Sequence, residues 1–293
     1  MSDSAAASQS QIILLGTGTS TGVPMVGCRC PVCLSEDPRN HRSRTGVLVQ
    51  TGQGNFLIDT PPELRLQLIR EKIPLVEAAL FTHEHADHTF GLDDLRLFGY
   101  YLDRAIPLYC ETRVQTRLKM AFEYAFQEPP AWLHAGATPR FELRTIDESP
   151  FELMGVTIHP IRLLHGRLPI FGYRIGNWAF CTDVSEIPAE SWRLLEGLDT
   201  LVIGALRDKP HPTHFSIGQA LEVVERVRPR QTYLTHLSHL LDYQTTNARL
   251  PAGVELAYDG LRIPLTGSLC PGGAKTAALH LVRLPLCTWA GCH

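Results

Sequence analysis

The chain has 293 residues, of which 44% are hydrophobic and 19% are charged, as is usual for a globular protein with a sizeable core. Its formal net charge of −3 provides no overall basic field for nucleic acid, although a local positive site for a small phosphorylated substrate is compatible with it. Residues 1–11 lack the basic start of a secretory signal, and no apolar run approaches the length that spans a bilayer. We therefore expect a cytoplasmic protein that binds neither membrane nor nucleic acid.

The first half of the chain predicts strands mixed with helices. Strands are expected at 11–15, 45–50, 55–59, 78–82 and 106–110. Thr60-Pro61-Pro62-Glu63 reads as a helix start, with Thr60 as the capping residue and an early proline, and the helix continues to about Lys72. Further helices are predicted at 91–102 and at about 113–126.

The second half continues this mixture. Strands are predicted at 141–146, 156–163, 171–175, 178–182, 201–204 and 232–235, with two more around Tyr258-Asp259-Gly260. Ser216 and Gln219 form a capping box for a helix that reaches Arg226. Hairpins combined with strand–helix alternation favour one layered α/β domain at 11–266, between a flexible N-terminus (1–10) and a C-terminal tail of uncertain order (267–293).

The densest cluster of chemically active side chains is Thr82-His83-Glu84-His85-Ala86-Asp87-His88. A strand entering this motif would place His83 and His85 on one face, because side chains alternate along a strand. If the chain then turns into a helix, Asp87 and His88 point back towards the same space. Imidazole and carboxylate together suit zinc, iron or manganese, so the motif predicts a metal site.

Three later candidates each follow a hydrophobic, strand-like segment: His165, Asp183 and His236. Polar residues at strand ends gather along one edge of an α/β sheet, so these side chains are expected to join the first four. Seven ligands are too many for one zinc ion and fit two divalent metals, zinc or manganese. Asp183 is the natural bridge between two cations at roughly 3.5–4 Å.

A second constellation combines Cys28, Cys30 and Cys33 with His239, which follows His236 by three residues. Three closely spaced thiolates and one imidazole match a structural Cys₃His zinc site; the alternative is a reduced cysteine cluster in a loop. The other five cysteines read as small buried hydrophobes or tail residues. The glycine-rich loop 16–22 matches neither the dinucleotide nor the Walker pattern and is interpreted as a turn that approaches the site closely.

The order His-x-His-x-Asp-His, a later histidine, an aspartate closing a strand and a final histidine resembles the metallo-β-lactamase superfamily. That resemblance implies an αββα sandwich, with two mixed sheets flanked by helices and a two-metal centre between the sheet edges. It assigns His83, His85 and His165 to one metal and Asp87, His88 and His236 to the other, with Asp183 bridging. Asp59, at the end of its strand, would support the metal ligands of the motif without binding the metal itself.

Gly16-Thr17-Gly18, the cysteine cluster, Thr235-His236-x-x-His239 and Tyr258-Asp259-Gly260 together look like the PhnP-like branch, named for phosphoribosyl cyclic phosphate phosphodiesterase. The resemblance covers about residues 11–265 and implies hydrolysis of a small phosphodiester, cyclic or linear, by a hydroxide bridging two metals. Asp87 and His214 are the expected catalytic residues, and His214 is assigned as the acid and phosphate contact in preference to His211. A homodimer is what the branch suggests.

Other functions share this chemistry. An RNA 3′-processing endonuclease usually carries a basic, glycine-rich arm, which segment 111–150 does not resemble. A PqqB-like metal-binding protein without hydrolase activity tends to lack the full catalytic set that this sequence contains. A thiolesterase or lactonase also fits, because a fold does not dictate its substrate.

Overall fold

The computed structural model describes residues 10–128, 132 and 136–265, and two seven-stranded mixed sheets account for most of them. The predicted tail (267–293) lies outside the described residues, as does the predicted N-terminus except for Ser10. The first sheet contains β1 (Gln11–Gly16), β2 (Gly46–Thr51), β3 (Gly54–Ile58), β4 (Ala78–Leu80), β5 (Ile106–Cys110), β6 (Phe141–Thr145) and β14 (Leu261–Pro264). The second contains β7 (Phe151–Leu153), β8 (Val156–His165), β9 (Leu168–Ile175), β10 (Trp178–Cys181), β11 (Thr200–Gly204), β12 (Gln231–Thr235) and β13 (Val254–Leu256).

Short helices connect the strands. They are α1 (Leu64–Arg70), α2 (Ala86–Thr89), α3 (Arg96–Tyr101), α4 (Thr112–Ala121), α5 (Ile217–Val227) and α6 (Tyr243–Asn247), with 3₁₀ turns at Pro38–Asn40, Leu92–Leu95, Glu123–Ala125 and Ala189–Leu195. The predicted α/β class and αββα sandwich are confirmed.

The two sheets have matching layouts. The strand order is β14-β1-β2-β3-β4-β5-β6 in one sheet and β13-β12-β11-β10-β9-β8-β7 in the other. Each sheet has three antiparallel pairings in one half and three parallel pairings in the other, and the parallel halves are β3 to β6 and β10 to β13. The carboxyl ends of parallel strands share one edge, and such edges are where α/β sheets place their sites.

Alternation of side chains explains the layers. In β1, Ile12 and Leu14 enter the core shared with residues of the second sheet, whereas Ile13 and Leu15 join the cluster that includes residues of α1 and α4. In the second sheet, Phe180 faces the shared core and Cys181 faces the cluster that includes α5. Both faces of each sheet are therefore covered, which is why these strands read as continuous apolar runs.

One helix start was predicted wrongly. The helix expected from Thr60 begins at Leu64, and the preceding Glu63 makes no side-chain cap. Thr60 is instead engaged by the metal-motif segment: its amide donates to the His88 carbonyl (2.8 Å), and its hydroxyl donates to the Thr89 carbonyl (3.2 Å). By contrast, the Ser216–Gln219 capping box of α5 is confirmed.

Candidate metal centre

The seven predicted ligands lie together where the strand ends of both sheets converge. One ligand atom from each of His83, His85 and His165 lies within 4.8 Å of the other two. The same limit holds among the ligand atoms of Asp87, His88, Asp183 and His236. Asp183 also groups in this way with His165 and His214, so its carboxylate adjoins both sets. We call these seven residues the paired centre.

Asp59 organises the histidines of the first sheet. His88 Nδ1–H donates to Asp59 Oδ2 (2.7 Å), and the Thr82 hydroxyl donates to the same oxygen (2.9 Å). The Thr82 amide donates to Asp59 Oδ1 (2.8 Å), while the hydroxyl oxygen of Thr82 lies 2.9 Å from Nδ1 of His83 and accepts from it. In their neutral forms, both imidazoles are thereby held as tautomers that leave Nε2 with a free lone pair.

His165 is held in the same way by the second sheet. Its Nδ1–H donates to the backbone carbonyl of Thr213 at 2.6 Å. A carbonyl accepts and never donates, so the proton of a neutral His165 resides on Nδ1 and its Nε2 is available as a ligand. Three histidines of the paired centre thus use one ring nitrogen for orientation and leave the other free to coordinate a metal ion.

The free ring nitrogens of the first sheet's histidines have no hydrogen-bond donor beside them, and that of His88 faces carboxylates. Nε2 of His83 and Nε2 of His88 are buried and have no hydrogen-bond partner. Nε2 of His88 lies 3.3 Å from Asp87 Oδ2 and 3.2 Å from Asp183 Oδ2. An imidazole nitrogen that faces two carboxylate oxygens needs a cation between them, either a proton or a metal ion, and this set of imidazole and carboxylate donors fits a divalent metal.

Backbone conformation marks the same place. Asp59, Asp183 and His236 have φ of 66°, 53° and 57°, in the left-handed region that few residues other than glycine adopt. Each follows directly or closely on the end of a strand, β3, β10 or β12. Strain of this kind persists where surrounding contacts fix it, and it is common at functional sites.

His236 connects the paired centre to the glycine-rich loop. Its Nδ1 lies 3.2 Å from Asp183 Oδ2 and 3.3 Å from the Thr45 hydroxyl oxygen, and its Nε2 lies 3.2 Å from the hydroxyl oxygen of Thr19. Thr19 belongs to the segment 16–22, so the predicted close approach of this loop is confirmed. The loop contributes a hydroxyl rather than a phosphate cradle.

The electrostatics follow from burial and from neighbouring charges. Burial lowers the pKa of His83 and that of His236. Burial would also lower the pKa of His88, but Asp183, Asp87 and Asp59 outweigh it and raise that pKa well above its usual value. Burial alone would raise the pKa of Asp183, but His236 and His88 hold it well below its usual value. The carboxylates are therefore ionised, which coordination requires.

His214 lies beside the paired centre, half-buried. Its ring centroid is 4.6 Å from that of His165 and 4.9 Å from that of His236, and its Nδ1 is 3.8 Å from Asp183 Oδ1. Burial, reinforced by His236, lowers the pKa of His214 to about 3, so this imidazole is neutral at pH 7. The competing His211 is one ring further away, with its centroid 5.2 Å from that of His214.

The four predicted ligands of the cysteine cluster also come together. Ligand atoms of Cys28, Cys30, Cys33 and His239 all lie within 4.8 Å of one another. His239 Nδ1 is 3.3 Å from Cys28 Sγ and 3.4 Å from Cys30 Sγ. A tetrahedron with Zn–S of about 2.3 Å and Zn–N of about 2.0 Å has S···N edges of about 3.5 Å, so the spacing fits zinc.

The sulfur atoms in this cluster differ in their surroundings. A hydrogen bond from the Cys33 amide, together with His239, lowers the pKa of Cys30 to about 6 against the effect of burial. Burial raises the pKa of Cys33 to about 11, although its sulfur accepts from the Met25 amide (3.3 Å). Cys110 and Cys181 are buried and free, as predicted for two of the remaining cysteines.

Several supporting residues were not found from the sequence. The Thr82 hydroxyl, the Thr19 hydroxyl and the Thr213 carbonyl all contact centre histidines. Threonines adjacent to histidine motifs are too common to single out, and a backbone carbonyl leaves no sequence signal. Only the position of Thr82, directly before His83 at the end of a strand, offered a hint.

Comparison with known proteins agrees with this geometry. A family model described as a beta-lactamase superfamily domain matches residues 54–237. A solved structure described as a new diphosphatase from the PhnP family has 39% sequence identity and a TM-score of 0.83, covering 89% of this chain and 100% of that one. The chain belongs to the PhnP-like branch of the metallo-β-lactamase superfamily. The fold of this family implies binding of divalent metal, and the grouped histidines, aspartates and cysteines are candidate ligands.

Two further relatives of this PhnP-like protein differ in what their names say. An octanoyltransferase of Porphyromonas gingivalis is 41% identical over 253 residues, which are 85% of this chain but 50% of that protein. The chain therefore spans half the length of that relative. Zinc-bound PqqB from Methylobacterium extorquens has a TM-score of 0.71 at 17% identity, covering 87% of this chain and 100% of that one, and supports the fold alone. Within the described residues, no helix is long and apolar enough to span a membrane.

Proposed function

We propose that this PhnP-like protein is a two-metal hydrolase that cleaves a P–O bond of a small phosphodiester, cyclic or linear. The observation that supports this most is the shared position of Asp183. Its carboxylate adjoins Nε2 of His88 and Nδ1 of His236, both at 3.2 Å, and also groups with His165. A carboxylate between two imidazole sets is the arrangement expected of a bridging ligand.

In this proposal one cation, zinc or manganese, is held by His83, His85 and His165, and a second by Asp87, His88 and His236, with Asp183 between them. When bound, the two cations lower the pKa of a water molecule and polarise a phosphoryl oxygen. A structural zinc is held by the cysteine cluster. The expected metal content is therefore three ions per chain.

The chain's own side chains perform the remaining tasks. Asp87 is held ionised because its neighbour His88 outweighs the effect of burial on the pKa of its carboxyl group. It can therefore accept a hydrogen bond from the attacking water and orient it. His214 donates an N–H to a non-bridging phosphate oxygen, and the negative charge of that phosphate favours the imidazolium that would protonate the leaving oxygen.

The backbone around His214 supports this role. The Phe215 amide donates to the Val184 carbonyl (2.7 Å), and the Phe215 carbonyl accepts from the Leu206 amide (2.9 Å). These bonds join the segment of His214 to that of Asp183. Two residues later, Ser216 caps α5, whose N-terminal partial charge favours an anion nearby.

The names of the relatives suggest several classes of substrate to test rather than one specific compound. The similar PhnP-family structure is described as a diphosphatase. A phosphodiester and the internal phosphorus of a substituted diphosphate both carry two bridging oxygens and one negative charge, so one site can accept either. The octanoyltransferase name belongs to a protein twice as long as the matched region, and acyl transfer is therefore included as the competing reaction.

The decisive experiment is a substrate panel on metal-loaded protein. It compares cyclic phosphodiesters, linear phosphodiesters, substituted diphosphates, an octanoyl thioester and a lactone. We expect turnover of at least one of the first three and none of the last two. Turnover of the thioester or lactone alone would overturn the proposal, and a salt-sensitive cleavage of tRNA would favour the RNA 3′-processing alternative.

His214→Ala tests the assigned role, with His211→Ala as the matched neighbour. We expect His214→Ala to retain three metals per chain and to lose most turnover, about 100-fold or more as for other acid–base groups. His211→Ala should lose far less. If His214→Ala also loses a metal, His214 is a ligand; if it keeps near-normal turnover, the assignment is wrong.

One zinc per wild-type chain without turnover would favour the PqqB-like alternative.

A further inference from the structure

Glu84 lies between two of the candidate ligand histidines, His83 and His85, and contacts an arginine of helix α4. The Glu84 carboxylate forms an ion pair with the guanidinium of Arg113, which lies in the first turn of α4. The same guanidinium donates from Nη2 to the Pro169 carbonyl at 2.5 Å. Pro169 lies in β9, immediately beyond the hairpin turn that follows His165.

The contact continues a seam between the two sheets. The Phe171 amide of β9 donates to the Thr82 carbonyl (3.0 Å), directly before His83, and the Tyr173 hydroxyl donates to the Phe81 carbonyl (2.6 Å). The next pair in this antiparallel arrangement would be Glu84, two residues after Thr82, and Pro169, two residues before Phe171. Proline has no N–H to donate, and the guanidinium of Arg113 bridges the two positions instead.

Glu84 is the shielded partner of this ion pair, whereas the Arg113 side chain is 33% exposed. The Glu84 side chain is 14% exposed, and its Oε2 is buried without a hydrogen-bond partner. Among the described residues, Arg113 is the one cation within ion-pair distance of Glu84. Removing that cation would leave a largely buried carboxylate uncompensated, which is far more costly than loss of an exposed pair.

From these contacts we infer that Glu84 and Arg113 are positioning residues that hold His83, His85 and His165 in mutual register. Arg113 contacts Glu84 in the loop that carries His83 and His85, and it contacts Pro169 in the hairpin that carries His165. One planar guanidinium holds both, which a lysine ammonium cannot do with the same geometry. The inference rests on the proposed metal-binding role of the three histidines.

The test measures metal affinity rather than turnover. Cadmium-substituted protein is titrated with a chelator and followed by cadmium NMR spectroscopy. The chemical shift distinguishes three sites: the histidine site (His83, His85 and His165), the mixed site of carboxylates and histidines (with Asp87, His88 and His236) and the sulfur-rich site of the cysteine cluster. In Arg113→Met we expect the affinity of the histidine site to fall by about 10–100-fold, the range for supporting partners of metal ligands, with the other two sites unchanged. Arg117→Met, one turn along α4 at an exposed position, is the matched control.

A second variant keeps the result interpretable if Arg113→Met folds poorly. Glu84→Gln preserves shape and removes the charge, so it should weaken the same site, and the double variant should show less than the sum of the two effects. Arg113→Lys should restore affinity only in part. The inference is overturned if Arg113→Met matches Arg117→Met, or if all three sites weaken together with overall stability. Because no substrate is present, this outcome is independent of whether phosphodiesters are cleaved.

Discussion

The paired centre and the cysteine cluster differ in what holds them together. His83, His88, Asp183 and His236 are at most 2% exposed and are tied by hydrogen bonds to groups such as Asp59, Thr82, Thr45 and Thr19. Cys28 and Cys30 are half-buried, and their loop packs against a small apolar cluster of Val23, Val32 and Cys33 with Met25 beside it. The fold therefore forms the first site, whereas a bound cation would largely form the second.

The comparison also shows how closely the two sites are connected. His236 and His239 lie on one short segment after β12. The buried guanidinium of Arg42 donates to the Ser238 carbonyl (3.0 Å) and to the Leu241 carbonyl (2.7 Å), fixing that segment independently of either cluster. We therefore expect damage to the cysteine cluster to reach the paired centre only weakly.

The largest effect is expected from Asp183→Asn. Asparagine tolerates the positive φ of this position, so the backbone should be retained while the charge between the two imidazole sets is lost. Metal content should fall and turnover should drop by more than about 100-fold, the upper range for residues that only support a ligand. Elemental analysis and steady-state kinetics measure both quantities. A variant with full metal content and normal turnover would show that Asp183 is not a bridge.

A smaller effect is expected from Asp59→Asn. The carboxylate accepts three hydrogen bonds and orients His88 and, through Thr82, His83. Its loss should lower metal affinity by about 10–100-fold without removing any ligand. A chelator titration monitored by the absorption of bound cobalt measures this change. Unchanged affinity would mean that the histidines are oriented by packing alone.

Cys33→Ser tests the difference between the sites directly. We expect loss of one zinc and faster hydrogen exchange of the loop 25–34, with both metals of the paired centre retained. Turnover should stay within about tenfold of wild type, a barrier change of about 1.4 kcal/mol. Hydrogen-exchange mass spectrometry and elemental analysis provide the readouts. Loss of all three metals would contradict the independence of the paired centre.

The smallest effect concerns thiol reactivity in metal-stripped protein. With its pKa lowered to about 6, Cys30 is mostly thiolate at pH 7, whereas Cys33, with its pKa raised to about 11, is mostly thiol. Iodoacetamide should modify Cys30 first, and the rate should fall as the pH drops through about 6. Peptide mass spectrometry identifies the site. Preferential modification of Cys33 would show that the loop rearranges when metal is removed.

The sequence predicted the site better than the elements that carry it. The motif around His83 and the later residues His165, Asp183 and His236 were identified because each follows an apolar strand, and the structure brings them together. Their roles as ligands remain predictions. The division into one domain at 11–266 and the homodimer likewise remain predictions.

The errors come from contacts between distant segments. Thr60 has the sequence of a helix cap, but it pairs with the segment of His88 and Thr89, so α1 begins at Leu64. β7 was missed because Phe151–Leu153 is too short for an alternation pattern, and it is defined by pairing with β8. The Arg113 contact to Pro169 joins residues 56 positions apart and has no local signal.

Anomalous X-ray scattering at the zinc and manganese absorption edges tests most directly whether two cations share the paired centre. We expect two peaks separated by roughly 3.5–4 Å, one among His83, His85 and His165 and one beside His88, with Asp183 reaching both. A third, isolated zinc peak is predicted at the cysteines. A single peak at the paired centre, or none in metal-supplemented crystals, would show that this site does not hold two cations.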